Sequence, residues 1–310
     1  MRNVPTLKLA PDADGIARAA QLLAQGGLVA FPTETVYGLG ADARNGTAVA
    51  RIFEAKGRPS FNPLIVHVPD LQAAQTLAAF DAMALEVAHA FWPGPLTLVL
   101  PLAHNHGLSP LVSAGLDTVA LRVPANGVAR DVLRAFGRPI AAPSANPSGQ
   151  ISPTTAAHVL SGLEDRIDGV IDGGPCEVGV ESTILGDAPL ALLRPGGLAT
   201  EEIEAITGRL AAPSDQITAP GQLASHYAPD VAIRLNANQA QPGEALLGFG
   251  PMQSDLNLSV AGDLVEAASN LFGHLHDLNR LGRPIAVAPV PECDLGRAIN
   301  DRLRRAAAPR

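Results

Sequence analysis

Leu28-Val29-Ala30-Phe31-Pro32-Thr33-Glu34-Thr35-Val36-Tyr37-Gly38-Leu39-Gly40-Ala41-Asp42-Ala43 is the stretch on which the reading of this chain turns. Leu28 to Phe31 follow a Gly26-Gly27 stop and read as a short buried strand. Pro32 ends it, since proline has no N–H for a ladder, and a polar run begins at once. In an open α/β sheet, strand ends that run into such loops converge on a ligand crevice. The tail from Gly38 to Ala43 fits a loose GxGxx[GA] dinucleotide pattern. Thr33-Glu34-Thr35 intervenes, however, and no acidic residue closes a second strand, so that reading is weak.

Upstream, a helix is expected with Asp14 as N-cap and Ile16, Leu22 and Leu23 on its apolar face. Downstream, short apolar runs alternate with helical segments: Val49 to Lys56, Leu64 to Val68, Leu71 to Phe91, Leu96 to Leu100, Val119 to Val123, Val128 to Phe136 and Ile140 to Ala142. A helix from Thr154, strands near Val170, Ser182 and Leu190, and a helix from Thr200 closed by Gly208 complete an α/β layer structure. Between Ala211 and Pro229 the periodicity breaks into Pro, Ser, Gly and Thr, which reads as a long linker. A smaller α/β unit follows, with strands at Val231, Ala245 and Ile285 and helices over Asp263 to Leu281 and Asp294 to Ala307. The expected division is 1–210, a linker over 211–229, and 230–310.

The formal charge of −8 argues against a protein that coats nucleic acid, which needs a broad basic surface. Cys176 and Cys293 lack a CxxC partner, so two buried, unreactive thiols are expected. No leader or membrane-length apolar run is visible, and a cytoplasmic protein is expected. There is no GxxxxGK[ST] loop and no GxSxG elbow. His104-Asn105-His106 and His274-Leu275-His276 lack a local carboxylate or cysteine at metal spacing, so no metal site is assigned and exposed histidines are expected.

What remains is a series of polar segments at the ends of apolar runs: Thr33 to Gly40, Lys56-Gly57-Arg58-Pro59 with Asn62 and His67, Arg122, Pro143 to Gly149, Ser182-Thr183, and Arg194-Pro195-Gly196. Singly each reads as a turn, a cap or a solvated surface. Together, Lys56, Arg58, Arg122 and Arg194 would line a crevice suited to a polyanion, because arginine forks onto carboxylate or phosphate and lysine supplies a mobile point charge.

At these residues the sequence resembles the YrdC-like family in its long two-domain form, the threonylcarbamoyl-AMP synthases. The matching stretches are Phe31 to Ala43, Ile52 to Val68, Phe91 to Leu100, Leu121 to Pro124, Pro139 to Thr154, Glu181 to Leu185 and Leu192 to Gly196. His226-Tyr227-Ala228-Pro229 resembles the linker's HYxP signature, and Asn270 to Phe272 with Gly296 to Leu303 resemble the C-terminal helices. Ser225 stands where the family more often has a basic residue.

The resemblance implies a twisted mixed sheet with helices around a basic crevice, plus a small Rossmann-like α/β C-terminal domain. It implies the reaction of L-threonine, bicarbonate and ATP to threonylcarbamoyladenylate, diphosphate and water, the first step of threonylcarbamoyladenosine formation in tRNAs that read codons beginning with A. Threonine contacts fall on Thr35, His67, Arg122, the backbone of Ala142, and Ser182. ATP contacts fall on Arg58, Asn62, Thr118, Ser144, Ser152, Arg194 and Tyr227, with Lys56 and Arg58 named catalytic. Mg2+ is expected with ATP, without a protein carboxylate pair assigned to it. The linker is expected to fold over the crevice as a lid. The implied partner is a downstream tRNA threonylcarbamoyl-transferase complex; membranes are not expected, and direct RNA binding is allowed but not required. Two rival readings are an RNA-binding module, weakened by 4% aromatics, and a carbamoyl-transfer domain of the hydrogenase-maturation type, whose acylphosphatase and zinc-finger segments are not visible.

Overall fold

The computed structural model describes residues 5–186, 189–212 and 225–309. Ten strands form a large mixed sheet: β1 (Leu7–Leu9), β2 (Val29–Phe31), β3 (Gly38–Asp42), β4 (Ile65–His67), β5 (Leu96–Pro101), β6 (Thr118–Arg122), β7 (Ile140–Ala141), β8 (Gly169–Ile171), β9 (Thr183–Gly186) and β10 (Ala191–Arg194). Their spatial order is β1-β8-β2-β3-β7-β4-β6-β5-β9-β10. Parallel and antiparallel pairs mix, so the sheet is not a simple doubly wound one.

Side chains alternate across this sheet, and both faces are covered. On β2, Val29 and Phe31 join Leu22, Leu23, Val132 and Ile140 beneath the helices Ala13–Ala24 and Gly127–Phe136. Leu28 and Ala30 face the opposite core with Ile52, Leu64, Val87 and Val159. Burial on both faces explains why the strand reads as a continuous apolar run and not as an alternating one.

Several local expectations are corrected. The first helix is capped by Asp12, whose carboxylate accepts from Gly15 N; Asp14 lies in the first turn, where its charge favours the positive helix end. The segment from Leu71 to Phe91 is two helices, Leu71–Gln75 and Ala82–Phe91, capped by Asp70 and Asp81. Between them Ala78 bridges to Leu102 and Ala79 N donates to Pro101 O, so the chain breaks to join the edge of β5. The dinucleotide pattern, already weak in the sequence, is no phosphate loop: Gly38 to Asp42 is β3, paired antiparallel with β2 and β7. A Cβ at Gly40 would meet the Phe31 ring at 2.7 Å and Ile140 Cγ2 at 2.9 Å, so this glycine permits close strand packing. Cys176 is buried as expected, whereas Cys293 is exposed just before the final helix.

A second sheet, entirely parallel, contains β11 (Ile233–Arg234), β12 (Ala245–Gly248), β13 (Leu256–Asn257) and β14 (Ile285–Val287) in the order β11-β14-β12-β13. The helix Leu264–Arg280, capped by Asp263, presents Ala268, Leu271, Phe272, Leu275 and Leu278 to its core. That core also takes in Val36, Ile151, Val180 and Tyr227, so the two sheets share buried apolar contacts. At Gly179, with φ of 76°, a Cβ would lie 2.4 Å from Ala268 O; the helix therefore rests against bare backbone. Of the expected linker, residues 213–224 lie outside the described residues, and the lid reading falls mostly on them.

Candidate active site

Most of the side chains expected to bind ligand gather where β2, β4 and β6 end and β9 begins. β4 and β6 run parallel with His67 opposite Arg122, so both reach the same rim of the sheet. The loop after β2 folds over them. Thr33 Oγ1 donates to Val36 O at 2.7 Å and lies 2.8 Å from Thr35 Oγ1. Arg122 Nη1 donates to Thr35 Oγ1 at 2.9 Å, Nη2 to Glu34 Oε1 at 2.6 Å, and Nε to Gly94 O at 3.3 Å. Glu34 Oε2 accepts from Ala125 N and Asn126 N, just ahead of the helix Gly127–Phe136. Burial would raise the Glu34 pKa, but the charge and hydrogen bond of Arg122 outweigh it and hold the carboxyl below its usual range. His67 is driven down to about 3 by burial and by the neighbouring Arg122 charge, so it is a neutral imidazole at physiological pH.

The second wall comes from the turn after the helix Gly46–Lys56 and from the loop after β7. Gly57 ends that helix in the left-handed region at φ 61°, which swings Arg58 inward. Arg58 Nη2 donates to Pro63 O at 3.0 Å, and burial lowers the guanidinium pKa only to about 10, leaving it cationic. Lys56 donates to Ser144 O at 2.6 Å and to Asn146 O, clamping the Pro143–Ser148 loop from behind. Full burial, then the charge of Arg58, push its pKa well below the usual lysine value.

The third wall is built across the two sheets. Arg194 Nη2 donates to Ser182 O at 2.7 Å and reaches Ser182 Oγ at 3.3 Å, while Thr97 Oγ1 lies 2.7 Å from the same hydroxyl. Ser152 Oγ donates to Glu181 Oε1. Arg302, from the final helix and wholly buried, donates to Glu181 Oε2 at 2.7 Å and to Pro195 O at 2.8 Å. Its guanidinium lies 5.1 Å from the Tyr227 ring centroid. Tyr227 adopts a left-handed φ of 62°, is buried against Phe272, and its hydroxyl has no partner among the described residues. Burial holds His226 down to about 3, against the opposing pull of Glu181 and with Arg58, Lys56 and Arg194 adding to the shift.

These walls enclose a cleft of about 550 Å³, its open mouth included. Thr35, His67, Arg122, Ala142 and Ser182, expected at threonine, all line it. So do Arg58, Ser144, Arg194 and Tyr227, expected at ATP. Four expected residues do not. Lys56 is turned to the loop carbonyls, and Asn62 is buried beneath Arg58 with its own carbonyl accepting from it. Ser152 stands behind Glu181. Thr118 opens β6 four residues before Arg122, roughly 13 Å along the strand from it. Sequence reasoning passed over Thr33, Glu34, Glu181, His226 and Arg302, although all five lie inside the quoted stretches or beside an assigned residue. Glu34 and Glu181 escape a reading that looks for direct ligand contacts, because each is engaged in holding an arginine.

The family model of the Sua5, YciO and YrdC proteins, described as "Telomere recombination", matches residues 21–196. A second, described as "Threonylcarbamoyl-AMP synthase, C-terminal domain", matches residues 198–308. A threonylcarbamoyl-AMP synthase of Pyrococcus abyssi is 42% identical over 317 residues, with 93% of each chain covered. One of Bacillus subtilis is 50% identical over 230 residues, covering 71% of this chain and 66% of that one. The crystal structure of P. abyssi Sua5 complexed with L-threonine superposes with a TM-score of 0.90 at 39% identity, over 97% of both chains. Coverage of both sheets at this identity settles the kinship: the chain belongs to the threonylcarbamoyl-AMP synthase family of nucleotidyl-transferring enzymes.

Proposed function

We propose that this enzyme converts L-threonine, bicarbonate and ATP to threonylcarbamoyladenylate, diphosphate and water, and that the product serves the first step of threonylcarbamoyladenosine formation in tRNAs reading codons that begin with A. The observation that carries this reading is a single cleft lined by three arginines, Arg122, Arg58 and Arg194, with a neutral His67 on the strand beside Arg122. The P. abyssi relative's complex with L-threonine supports assigning one of them to the amino acid.

In this scheme Arg122 takes the threonine carboxylate, and Thr35, His67, Ser182 and the Ala142 backbone hold the rest of the amino acid. Arg58, Ser144, Arg194 and Tyr227 face ATP, while Lys56, Asn62, Ser152 and Thr118 act from behind or further along β6. The threonine amine takes up bicarbonate carbon with loss of water, and the resulting carbamate oxygen attacks the α-phosphorus as diphosphate leaves. Holding three anionic partners in line is the main demand, met by fixed cations and hydroxyls and without a protein nucleophile.

Among the described residues no group of three His, Cys, Asp or Glu side chains could hold a metal ion, and Glu181 is already bound by Ser152 and Arg302. Mg2+ would instead arrive with the nucleotide and neutralise its phosphates. No helix of the described chain is long and apolar enough to cross a membrane. Work in the cytoplasm beside a tRNA threonylcarbamoyl-transferase complex belongs to the same proposal.

Purified protein given threonine, bicarbonate and ATP is expected to release diphosphate only when threonine is present, with threonylcarbamoyladenylate identified by mass. Arg58→Ala is expected to lower kcat/KM by about a hundredfold or more. Diphosphate release independent of threonine, or full activity in Arg58→Ala, overturns the reading.

A further inference from the structure

The hydroxyls of Thr33 and Thr35 lie in a chain whose polarity is fixed by its two ends. At one end is the Val36 carbonyl, which can only accept; Thr33 Oγ1 is its donor at 2.7 Å. Val36 is buried, so leaving that carbonyl unmet would cost the full desolvation of a polar group. With its single proton directed there, Thr33 Oγ1 can only accept: the backbone N–H groups of Thr35 and Val36 enter it at 3.2 and 3.3 Å and share one lone pair, and Thr35 Oγ1, at the shorter 2.8 Å, takes the other. At the other end is Arg122 Nη1, which can only donate, and it enters Thr35 Oγ1 at 2.9 Å. Arg122 is itself held in place by Glu34 and by Gly94 O.

Thr35 Oγ1 thus has its proton committed to Thr33 and one lone pair committed to Arg122. One lone pair remains, on a side chain that lines the cleft. Ser182 differs: it accepts from Arg194 Nη2, and Thr97 is free to donate to it, so its own proton can point at a ligand. The cleft therefore offers an obligate acceptor at Thr35 and an available donor at Ser182.

We propose that Thr33 is a positioning residue that makes Thr35 an acceptor only, so that Thr35 holds the substrate amine through an N–H and leaves the nitrogen lone pair open for carboxylation. A donor hydroxyl in the same place would tie up the lone pair that must form the new bond to carbon. The same Arg122 that polarises Thr35 is a forked cation for a carboxylate, and in an α-amino acid the amine and carboxylate share one carbon. The carbamate product keeps an N–H, so the contact survives the first chemical step. This inference rests on the proposed threonine-activating reaction and adds to it which face of the amine is held.

The test begins with the wild-type enzyme and calorimetric competition against L-threonine. 2-Aminobutanoate and 2-hydroxybutanoate, which carry a donor at the tested position, are expected to compete, whereas 2-oxobutanoate, which sets an acceptor against an acceptor, is expected to compete at least about tenfold less well. In steady-state assays Thr33→Val is expected to raise the threonine KM about tenfold and lower kcat while leaving the ATP KM unchanged, and Thr33→Ser to restore both. In a Thr35→Val background the same Thr33→Val change is expected to add less than about twofold, because the group it aims is already gone. Equal competition by the oxo and hydroxy acids overturns the inference, even should Thr33→Val fail to fold. So does a Thr33 effect that simply adds to that of Thr35. Failure of the wild type to bind L-threonine instead overturns the proposed reaction itself.

Discussion

Arg122 with Glu34 and Arg302 with Glu181 are two buried ion pairs at the same cleft, 2.6 and 2.7 Å apart, and they are turned opposite ways. In the first pair the arginine lines the cleft and its carboxylate lies behind it; in the second the carboxylate lines the cleft and the arginine lies behind. The first is assembled within the large sheet, from the β2 loop and the end of β6, and shows a cation to the ligand. The second reaches across from the final helix and shows the ligand an anion whose charge is already matched. A buried pair often contributes little net stability against apolar isosteres, but breaking one is costly. Under the proposed reaction the orientation gives the pairs different tasks: ligand capture to the Arg122 pair, and joining of the two sheets beside the cleft to the Arg302 pair.

The largest effect that follows is on stability. Arg302→Met removes the cation hydrogen-bonded to the buried Glu181 carboxylate, leaving it only the more distant field of Arg194, and takes one partner from Asp301; it is expected to lose about 3–5 kcal/mol in urea unfolding. Adding Glu181→Gln, which removes the stranded charge, is expected to recover most of that loss. An unfolding midpoint unmoved by Arg302→Met would mean that the pair does not join the sheets at all.

Arg122→Lys separates the two roles more finely. It keeps a positive charge against Glu34 and removes the planar fork, so stability is expected to fall far less than in Arg302→Met. Threonine affinity is expected to drop by roughly 2 kcal/mol, some thirtyfold, in calorimetric titration. A stability loss as large as that of Arg302→Met, with threonine affinity retained, would erase the distinction between the pairs.

Much of this arrangement was legible in the sequence, and the unread parts have a common cause. Arg122, Arg58 and Arg194 stood out because cations at strand ends point to anions, and they do line the cleft. Glu34 and Glu181 lay in the same quoted stretches, but a carboxylate's task of orienting an arginine depends on which partner folds against it. Arg302 lies 121 residues from Glu181 in the chain, a separation that no local pattern encodes. The strands β3 and β13 escaped the sequence reading for another reason. β3 carries two glycines for close packing and β13 has only two residues, so neither shows an apolar period. Lys56 drew notice as one of two lysines, yet its direction, toward the Ser144 and Asn146 carbonyls, is decided by the αL turn at Gly57 and the loop beyond β7.

Each pair also has a buried histidine near it, and this gives the smallest and most diagnostic effect. His67 beside Arg122 and His226 near Glu181 are both held down to about 3. An unfolded histidine titrates near 6.5, so between about pH 6.5 and 3 the unfolded chain binds more protons than the folded one. The histidine contribution to stability is therefore level above about pH 6.5 and falls as the pH drops below it, by at most about 1.4 kcal/mol per pH unit for each such histidine. The half-buried stacked pair His158–His276, with His276 lowered to about 4, adds to the same slope. Glu34 and Glu181, whose folded pKa values are lowered, lose their contribution only as the pH falls below the ordinary carboxylate value of about 4.3. Urea midpoints taken at pH 7, 6 and 5 thus read the histidines separately from the ion pairs. His226→Gln and His67→Gln are each expected to flatten that slope by a similar amount, because burial dominates both shifts whichever way the neighbouring pair is turned. A flattening confined to one of them would mean that the orientation of the pair, and not burial, governs its histidine.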